Sequence, residues 1–312
     1  MRASEQEAGA AAAVSPAAAR VSPLRWTGAA VQTARPRQWP KNLLVFAAPL
    51  AGASLGRHYG LAYSLFAAVL FIAASSAVYY INDVVDAERD REHPVKRFRP
   101  VASGRLPKSH ALILAGVCTV GGIAGGLAIG EPRLSLVIAV YLVLSLFYSL
   151  AGKHIPVLEL ALVASGFVLR AVGGAIATHV PPSSWFLIVC SLGALMVAVA
   201  KRYSELTLLD GAAAAHRPVM KRYSAPALRL TQRIVTGAMI LAYLLWARGE
   251  SNAWMVGWHL ASAAPLAAAL LRFDQLTGRA TGKPVEDLIS KDVVMIYCEL
   301  AWLAMFAAGL FK

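Results

Sequence analysis

The stretch LAYSLFAAVLFIAASSAVYYINDVVDAERDREHPVKRFRP, residues 61–100, decides the fold of this chain. Its first half is long enough to cross a lipid bilayer and carries no charge before Asp83. Its second half contains three aspartates and five Lys or Arg side chains in quick succession. A long uncharged run that ends abruptly in dense charge is typical of a membrane helix that emerges beside an aqueous, ionic site.

The composition extends this interpretation to the whole chain. Of the 312 residues, 58% are hydrophobic and only 15% are charged, whereas soluble domains carry roughly 25% charged residues. The mean hydropathy is +0.57. All three cysteines (Cys118, Cys190 and Cys298) lie inside apolar runs, and an odd number argues against a disulfide framework. The sequence therefore predicts an all-α, polytopic membrane helical bundle.

Apolar runs of about bilayer length predict nine transmembrane helices. Their expected limits are 42–56, 61–82, 110–129, 133–150, 155–178, 184–200, 229–247, 253–271 and 293–311. Residues 1–34 are predicted to be a disordered, Ala-rich cytosolic tail that leads into an interfacial segment, and residues 35–312 to be one transmembrane transferase domain.

The distribution of Lys and Arg predicts the orientation. Most of the 30 cations lie in the N-terminal tail or in the loops 83–109, 151–154, 201–228 and 272–292. Because cytoplasmic loops carry excess Lys and Arg, this side is predicted to face the cytosol, in the plasma membrane. Anionic lipid headgroups account for part of the net charge of +13. A nucleic-acid-binding role is excluded, because it would need a soluble basic module.

The acidic motif at the end of the second predicted span is the main candidate site. Asp83, Asp86 and Asp90 are three and four residues apart, so on a continuous helix they share one face, with Asn82 beside them. Oxygen ligands at this spacing suit Mg²⁺, which uses a few carboxylates together with substrate phosphates. The alternative is a solvated helix end that is paired with the neighbouring arginines.

Clustered cations on the same predicted side favour a polyphosphate substrate, because Arg and Lys bind phosphate oxygens. The candidates are Lys96, Arg97 and Arg99 in the loop after the acidic motif, Lys41 before the first span, and Lys201 and Arg202 at the end of the sixth. Further candidates on this side are Tyr148, Glu159, Tyr203, Glu205, Glu286 and Asp287. For these flanking segments a juxtamembrane anchor, a local Lys201–Glu205 pair or a favourable helix dipole stays open as an alternative.

The motif Asn82-Asp83-x-x-Asp86-x-x-x-Asp90 in a nine-span bundle resembles the UbiA prenyltransferase superfamily, over roughly residues 33–311. Within it, RPRQWPKN (35–42), FVLRAVGGAIAT (167–178), KRYSEL (201–206) and PVEDLISKD (284–292) are similar to membrane enzymes that transfer phosphoribose to decaprenyl phosphate. Superfamily members carry a second Asp-rich motif after helix six. Here that position reads KRYSELTLLD (201–210), which favours phosphoribosyl transfer over prenyl transfer.

The resemblance implies a bundle with a lipid-open cavity and a Mg²⁺ site. It implies that 5-phosphoribose moves from phosphoribosyl diphosphate to decaprenyl (polyprenyl) phosphate, with release of pyrophosphate, as the first membrane step of arabinose-donor synthesis for cell-wall arabinan. The implied metal ligands are Asn82, Asp83 and Asp86, and the implied catalytic residues are Asp83, Asp86, Asp90, Arg202 and Glu205, with Asp90 in the metal's outer shell or orienting Arg97. The implied substrate contacts are Lys41, Asn82, Lys96, Arg97, Arg99, Tyr148, Glu159, Lys201, Tyr203, Glu286 and Asp287.

Two other functions stay open on the sequence. One is a UbiA-type transferase that moves a prenyl group from its diphosphate to a small acceptor, since the acidic motif suits both enzymes. The other is a transporter of anionic metabolites, although apart from Arg170 little charge lies near the predicted midplane. Membrane lipids are expected partners, and a homo-oligomer is compatible with the sequence.

Overall fold

The protein is described by a computed structural model over residues 23–56, 59–208, 218–250, 252–279, 285, 288 and 291–310. Helices are the only regular structure in these ranges. The α-helices are α1 (Pro23–Thr33), α2 (Ala47–Ala51), α3 (Gly60–Val85), α4 (Ala87–Glu92), α5 (Lys108–Ala128), α6 (Pro132–Leu150), α7 (Leu158–Ala177), α8 (Ser184–Leu208), α9 (Ala225–Arg248), α10 (Ala253–Gly278) and α11 (Val293–Leu310). Short 3-10 helices cover Pro36–Phe46, Lys96–Phe98, Gly152–His154 and Pro218–Arg222.

Eight of the described helices are long and apolar enough to cross a membrane: α3 and α5 to α11. They match eight of the nine predicted spans, so the prediction of a polytopic helical bundle is confirmed and the chain is an integral membrane protein. Large apolar side chains on the outer faces of α5 and α6 are exposed, as expected for surfaces in contact with lipid tails.

The first predicted span, 42–56, is wrong as a long α-helix. Residues 36–51, here called the crossing segment, form the 3-10 helix Pro36–Phe46 followed by the short α2. Prolines at 36, 40 and 49 disfavour a regular α-helix here, because proline lacks the N–H that an α-helix needs. A 3-10 helix rises about 2.0 Å per residue and an α-helix about 1.5 Å, so the segment extends about 30 Å. This length matches the thickness of a bilayer core, about 30 Å.

Contacts at its two ends show that the crossing segment traverses the bundle. At its start, Arg35 pairs with Asp83 near the end of α3. At its C-terminal end, Gly52 packs against the side chain of Val180, which follows the C-terminal end of α7. A Cβ added to Gly52 would lie only 2.6 Å from that side chain. In between, a Cβ at Gly174 of α7 would collide with the backbone carbonyl of Val45. Glycine at 174 thus allows the segment to pack directly on α7.

Polar contacts between helices gather at one end of the bundle, here called the ionic end. It contains the C-terminal ends of α3, α6, α8 and α10 and the N-terminal ends of α5, α7, α9 and α11. The α1 helix, in the stretch predicted to be tail and interfacial segment, packs there on α3, where the Tyr80 hydroxyl donates to the Ala30 carbonyl at 2.9 Å. Because successive spanning helices alternate in direction, loops far apart in sequence meet at this end.

Candidate functional site

The acidic motif lies at a helix break rather than on one continuous helix. The α3 helix ends at Val85, Asp86 caps it, and α4 follows at once. The Asp86 amide donates to the Asn82 carbonyl at 2.9 Å, and the Asp90 amide donates to the Asp86 carbonyl at 2.8 Å. The helix runs on past Asp83 but is interrupted at Asp86, and the chain stays wound tightly enough to keep the motif at the ionic end.

Two guanidinium groups neutralise the buried carboxylates of the motif. Asp83 is 2% exposed, and its Oδ1 lies 2.5 Å from Arg35 Nη2. Asp90 is 3% exposed, and its Oδ2 accepts a hydrogen bond from Arg99 Nη1 at 2.7 Å. The same Arg99 nitrogen lies 3.6 Å from Asp83 Oδ1. Asp90 therefore orients Arg99, not Arg97 as expected, because Arg97 stacks on the neighbouring Phe98 ring instead.

The loop between α3 and α5 is held in shape by its own cations. Glu88 accepts from Arg91 Nη1 and from Lys108 Nζ, each at 2.7 Å. The Lys108 hydrogen bond, with the charges of Arg91 and Lys108, lowers the pKa of Glu88. Arg105 donates to the Phe98 carbonyl at 2.7 Å. Arg91, Arg105 and Lys108 are thus engaged within the loop, while the side chains of Lys96 and Arg97 are exposed.

A second centre surrounds Arg202 at the end of α8. Arg202 is 3% exposed and its Nη1 lies 2.5 Å from Glu205 Oε2. Its Nε lies 2.8 Å from Oε1 of the fully buried Glu159, a charge–charge contact without hydrogen-bond alignment. Its Nη2 donates to the Tyr148 hydroxyl at 3.2 Å. The structure thus joins four predicted site residues from α6, α7 and α8, and commits the three guanidinium nitrogens to protein partners.

The remaining candidates on α8 and nearby have distinct surroundings. Lys201 and Tyr203 are half-buried, and the Tyr203 ring lies under the guanidinium of Arg229 at 5.8 Å. Tyr223 accepts a hydrogen bond from the Val157 amide at 2.9 Å, next to the start of α7. Burial raises the pKa of the Tyr223 phenol, and the nearby Glu159 raises it further. Glu286 and Asp287 lie outside the described residues.

Ion pairs across α9, α10 and α11 were missed by the sequence analysis. Arg229 contacts both carboxylate oxygens of Asp274 at 2.8 Å. Arg272 donates to both oxygens of Asp292, at 3.2 and 2.8 Å, and thereby lowers the pKa of Asp292. Asp292 Oδ1 also accepts from the Met295 amide at the start of α11. The only sequence signal was single opposite charges at predicted helix ends, which does not specify partners.

The donor atoms around Asp83 fit a magnesium ion. Within the described ranges no three His, Cys, Asp or Glu side chains are grouped to hold a metal by themselves. Asp83, Asp86 and the amide oxygen of Asn82 nevertheless lie within one helical turn, and Arg35 and Arg99 both approach the same oxygen of Asp83. One or two carboxylates with substrate phosphates and waters are the usual ligands of Mg²⁺, and these residues offer oxygens of that kind.

An apolar cavity of about 520 Å³ lies beside the crossing segment. Its walls come from the crossing segment, the α7–α8 connection, α8, α9 and α11, and include Leu44, Ala47, Trp185, Tyr243, Trp302 and Phe306. Two of these side chains share a hydrogen bond, from Trp302 Nε1 to the Tyr243 hydroxyl at 3.1 Å. The cavity suits a hydrocarbon chain, because polar groups in its wall are few.

Comparison with known proteins gives relatives over most of the chain. It is 39% identical over 292 residues to "Decaprenyl-phosphate phosphoribosyltransferase" of Mycobacterium tuberculosis, covering 92% of this chain and 96% of the relative. It is 38% identical to the protein of that name from Mycolicibacterium smegmatis (90% and 92% covered), and 35% identical to that from Corynebacterium glutamicum (88% and 84% covered).

The fold is shared with solved structures at low sequence identity. A UbiA homolog from Archaeoglobus fulgidus, bound to DMAPP and Mg²⁺, superposes with a TM-score of 0.68 at 14% identity, covering 90% of this chain and 97% of that one. A digeranylgeranylglyceryl phosphate synthase structure gives a TM-score of 0.67, also at 14% identity, with 90% and 99% covered. In addition, residues 43–285 match the description "UbiA prenyltransferase family". The chain therefore belongs to the UbiA prenyltransferase family.

Proposed function

We propose that this protein transfers 5-phosphoribose from phosphoribosyl diphosphate to decaprenyl phosphate and releases pyrophosphate. The observation that carries the proposal is the centre on α8, where Lys201 and the buried Arg202 stand in place of a second metal-binding acidic motif. A single acidic motif set among cations suits a donor that brings three phosphate groups. The names of the three curated relatives support the same reaction.

The donor's phosphates are assigned to the ionic end. Asp83, Asp86 and Asn82 would hold Mg²⁺, with Asp90 holding Arg99 next to Asp83. When bound, the ion would neutralise the leaving pyrophosphate and fix its orientation. Lys96, Arg97, Arg99 and Lys201 add positive charge around the same group, and preorganised charges of this kind lower the barrier most when water is partly excluded.

The reaction needs no general base from the protein. The acceptor is a phosphate monoester whose oxygen is already anionic at neutral pH, so it can attack C1 of the ribose directly. A new C1–O bond to the lipid phosphate forms while the C1–O bond to pyrophosphate breaks. The protein's task is therefore orientation and charge stabilisation. Glu205 fixes Arg202 in this arrangement by accepting a hydrogen bond from its guanidinium, and we assign the ribose hydroxyls to Glu205 as well.

The position of the lipid acceptor and the orientation in the membrane are also part of the proposal. We assign a part of the polyprenyl chain to the apolar cavity, which lies toward the end of the bundle opposite the ionic end, with its phosphate on the side of the ionic end and the rest of the chain among membrane lipids. The excess of Lys and Arg at the ionic end supports a cytosolic orientation in the plasma membrane. The product would then enter arabinose-donor synthesis for cell-wall arabinan.

A radiochemical assay tests the proposal. Purified protein in nanodiscs receives phosphoribosyl diphosphate labelled in the ribose, decaprenyl phosphate and Mg²⁺, and we expect label in the organic extract together with pyrophosphate. The inactive control is Asp86→Asn, which keeps the size and shape of the side chain. A folded wild-type protein that yields no lipid-linked label would refute the proposal. Transfer of a prenyl group to a small acceptor, or flux without product, would instead support the alternative transferase or a transporter.

A further inference from the structure

The crossing segment has three faces, because a 3-10 helix has three residues per turn. The face toward α7 is buried and consists of Asn42, Val45 and Ala48. The outer face is exposed and consists of Arg37, Pro40 and Leu43. The third face is half-buried and consists of Gln38, Lys41, Leu44 and Ala47. This last set, together with Arg35 one turn before Gln38, is here called the ligand face.

The ligand face changes from ionic to apolar along its length. It begins with Arg35, which is paired with Asp83 at 2.5 Å. It ends with Leu44 and Ala47, which line the apolar cavity. Lys41 lies between these regions, about 12 Å from Arg35 along the helix and about 6 Å from Leu44. A molecule with an anionic head and a hydrocarbon chain matches this order.

Arg170 fixes the crossing segment at the residue next to Lys41. It is 6% exposed near the middle of α7, and its Nε donates to Asn42 Oδ1 at 2.7 Å. It also donates to the Gly166 carbonyl at 2.7 Å and to the Tyr141 hydroxyl at 2.9 Å, and stacks on the Tyr141 ring. Its three nitrogens thus hold the crossing segment, α6 and α7 in one fixed arrangement.

The charge of Arg170 makes this arrangement costly. All three of its acceptors are neutral, and within the part of the chain that the structure describes no carboxylate pairs with it. Burying an ionised group in a membrane bundle is energetically unfavourable, so stability alone does not explain a cation there. Arg170 instead fixes Asn42, the residue next to Lys41, and its planar fork of donors suits acceptors on three elements at once.

We infer that Lys41 binds the phosphate of the lipid acceptor, and that Arg170 is the positioning residue that sets Lys41 through Asn42. The inference rests on the proposed function and deepens it, since it assigns this lysine to the acceptor and leaves the donor to the residues around Asp83. The lipid phosphate then meets the ribose between the donor's metal site and the mouth of the apolar cavity.

The test separates binding of the two substrates. Equilibrium binding of radiolabelled decaprenyl phosphate to the protein in nanodiscs is measured without donor, and KM is then measured for each substrate. We expect Lys41→Gln to weaken lipid phosphate binding about tenfold or more, the loss of one charge-assisted hydrogen bond, while KM for phosphoribosyl diphosphate changes less than about twofold. Lys41→Arg, which keeps the charge, should retain most of the binding.

Further variants test whether the weaker lipid binding of Lys41→Gln comes from unfolding or from the loss of any positive charge. Arg37→Gln removes the same charge from the exposed face of the same helix and should leave lipid phosphate binding unchanged. Arg170→Lys should weaken this binding like Lys41→Gln, and adding Lys41→Gln to it should cost little more, because the lysine is already displaced.

Three outcomes would overturn the inference: a Lys41→Gln protein with altered donor KM but normal lipid binding, an Arg37→Gln protein with the same defect, or additive losses in the double variant. A wild-type protein that binds the lipid but forms no product would contradict the proposed function instead.

Discussion

Removing Arg202 should destabilise the protein chiefly because it takes away the cation that lies beside the buried carboxylate of Glu159. Glu159 is fully buried, and its oxygen lies 2.8 Å from Arg202 Nε. Arg202→Gln therefore leaves a buried carboxylate without its cation, for which the usual cost is about 3–5 kcal/mol. For a chain of this size each kcal/mol shifts Tm by about 2–4 °C, so we expect a loss of roughly 10 °C.

Removing both charges together should restore much of this stability. In Glu159→Gln/Arg202→Gln two neutral amides of similar size replace the pair, and Glu205 loses a partner but stays in contact with water. The double variant should therefore be more stable than the sum of the single losses implies, by about 2–3 kcal/mol. Thermal unfolding of a fluorescent fusion in detergent, followed by size-exclusion chromatography, measures each variant.

Lys201→Gln is the matched control, because it removes the neighbouring cation on α8 from a half-buried position. It should change Tm by no more than about 3 °C, the size of a surface substitution. Strictly additive losses for Glu159 and Arg202, or an Arg202→Gln protein as stable as the control, would refute the buried-pair explanation of this centre.

The remaining predictions concern the metal, the packing and the ionic loop. Asp83→Asn and Asp86→Asn should each lower kcat/KM at least about 100-fold, with partial rescue by added Mg²⁺, because several kcal/mol of charge stabilisation is lost; unchanged kinetics would remove them from the site. Gly174→Ala should destabilise by about 3 kcal/mol, since its Cβ meets a backbone carbonyl, while Gly116→Ala, whose Cβ meets nothing, should not. Because the folded-state pKa of Glu88 is lowered, the contacts of its loop should weaken only as pH falls through that pKa. We expect a loss of amide-exchange protection, corrected for the intrinsic pH dependence of exchange, whereas Glu88→Gln should show low protection at every pH.

The amino-acid sequence by itself determined most of the membrane-spanning helices and the position of the charged motifs. Uninterrupted apolar runs predicted eight of the membrane helices, because a bilayer requires about 20 apolar residues per α-helix and each run is read without reference to any other. The acidic motif and the basic loops were equally local signals. The Lys and Arg distribution placed them on one side, since alternating spans assign every loop to one face or the other.

The prolines of the crossing segment already disfavour an α-helix, but tertiary structure decided its path through the bundle. Its first half carries charges and prolines, so hydropathy marked only residues 42–56. The chain crosses the bundle there because a 3-10 helix covers more distance per residue, and because α7 offers Gly174 for close approach and Arg170 for Asn42. A residue 128 positions away therefore supports the backbone beside Lys41.

Tertiary structure also decided which charges meet. Asp83 pairs with Arg35, which lies 48 residues earlier in the sequence. Arg202 pairs with Glu159 as well as with its neighbour Glu205. Sequence spacing predicts only partners within a helical turn or a short loop, because the distance between two charges on different helices depends on how those helices pack. Which carboxylate each guanidinium holds, and so which cations are left for substrate, is a property of the packed bundle.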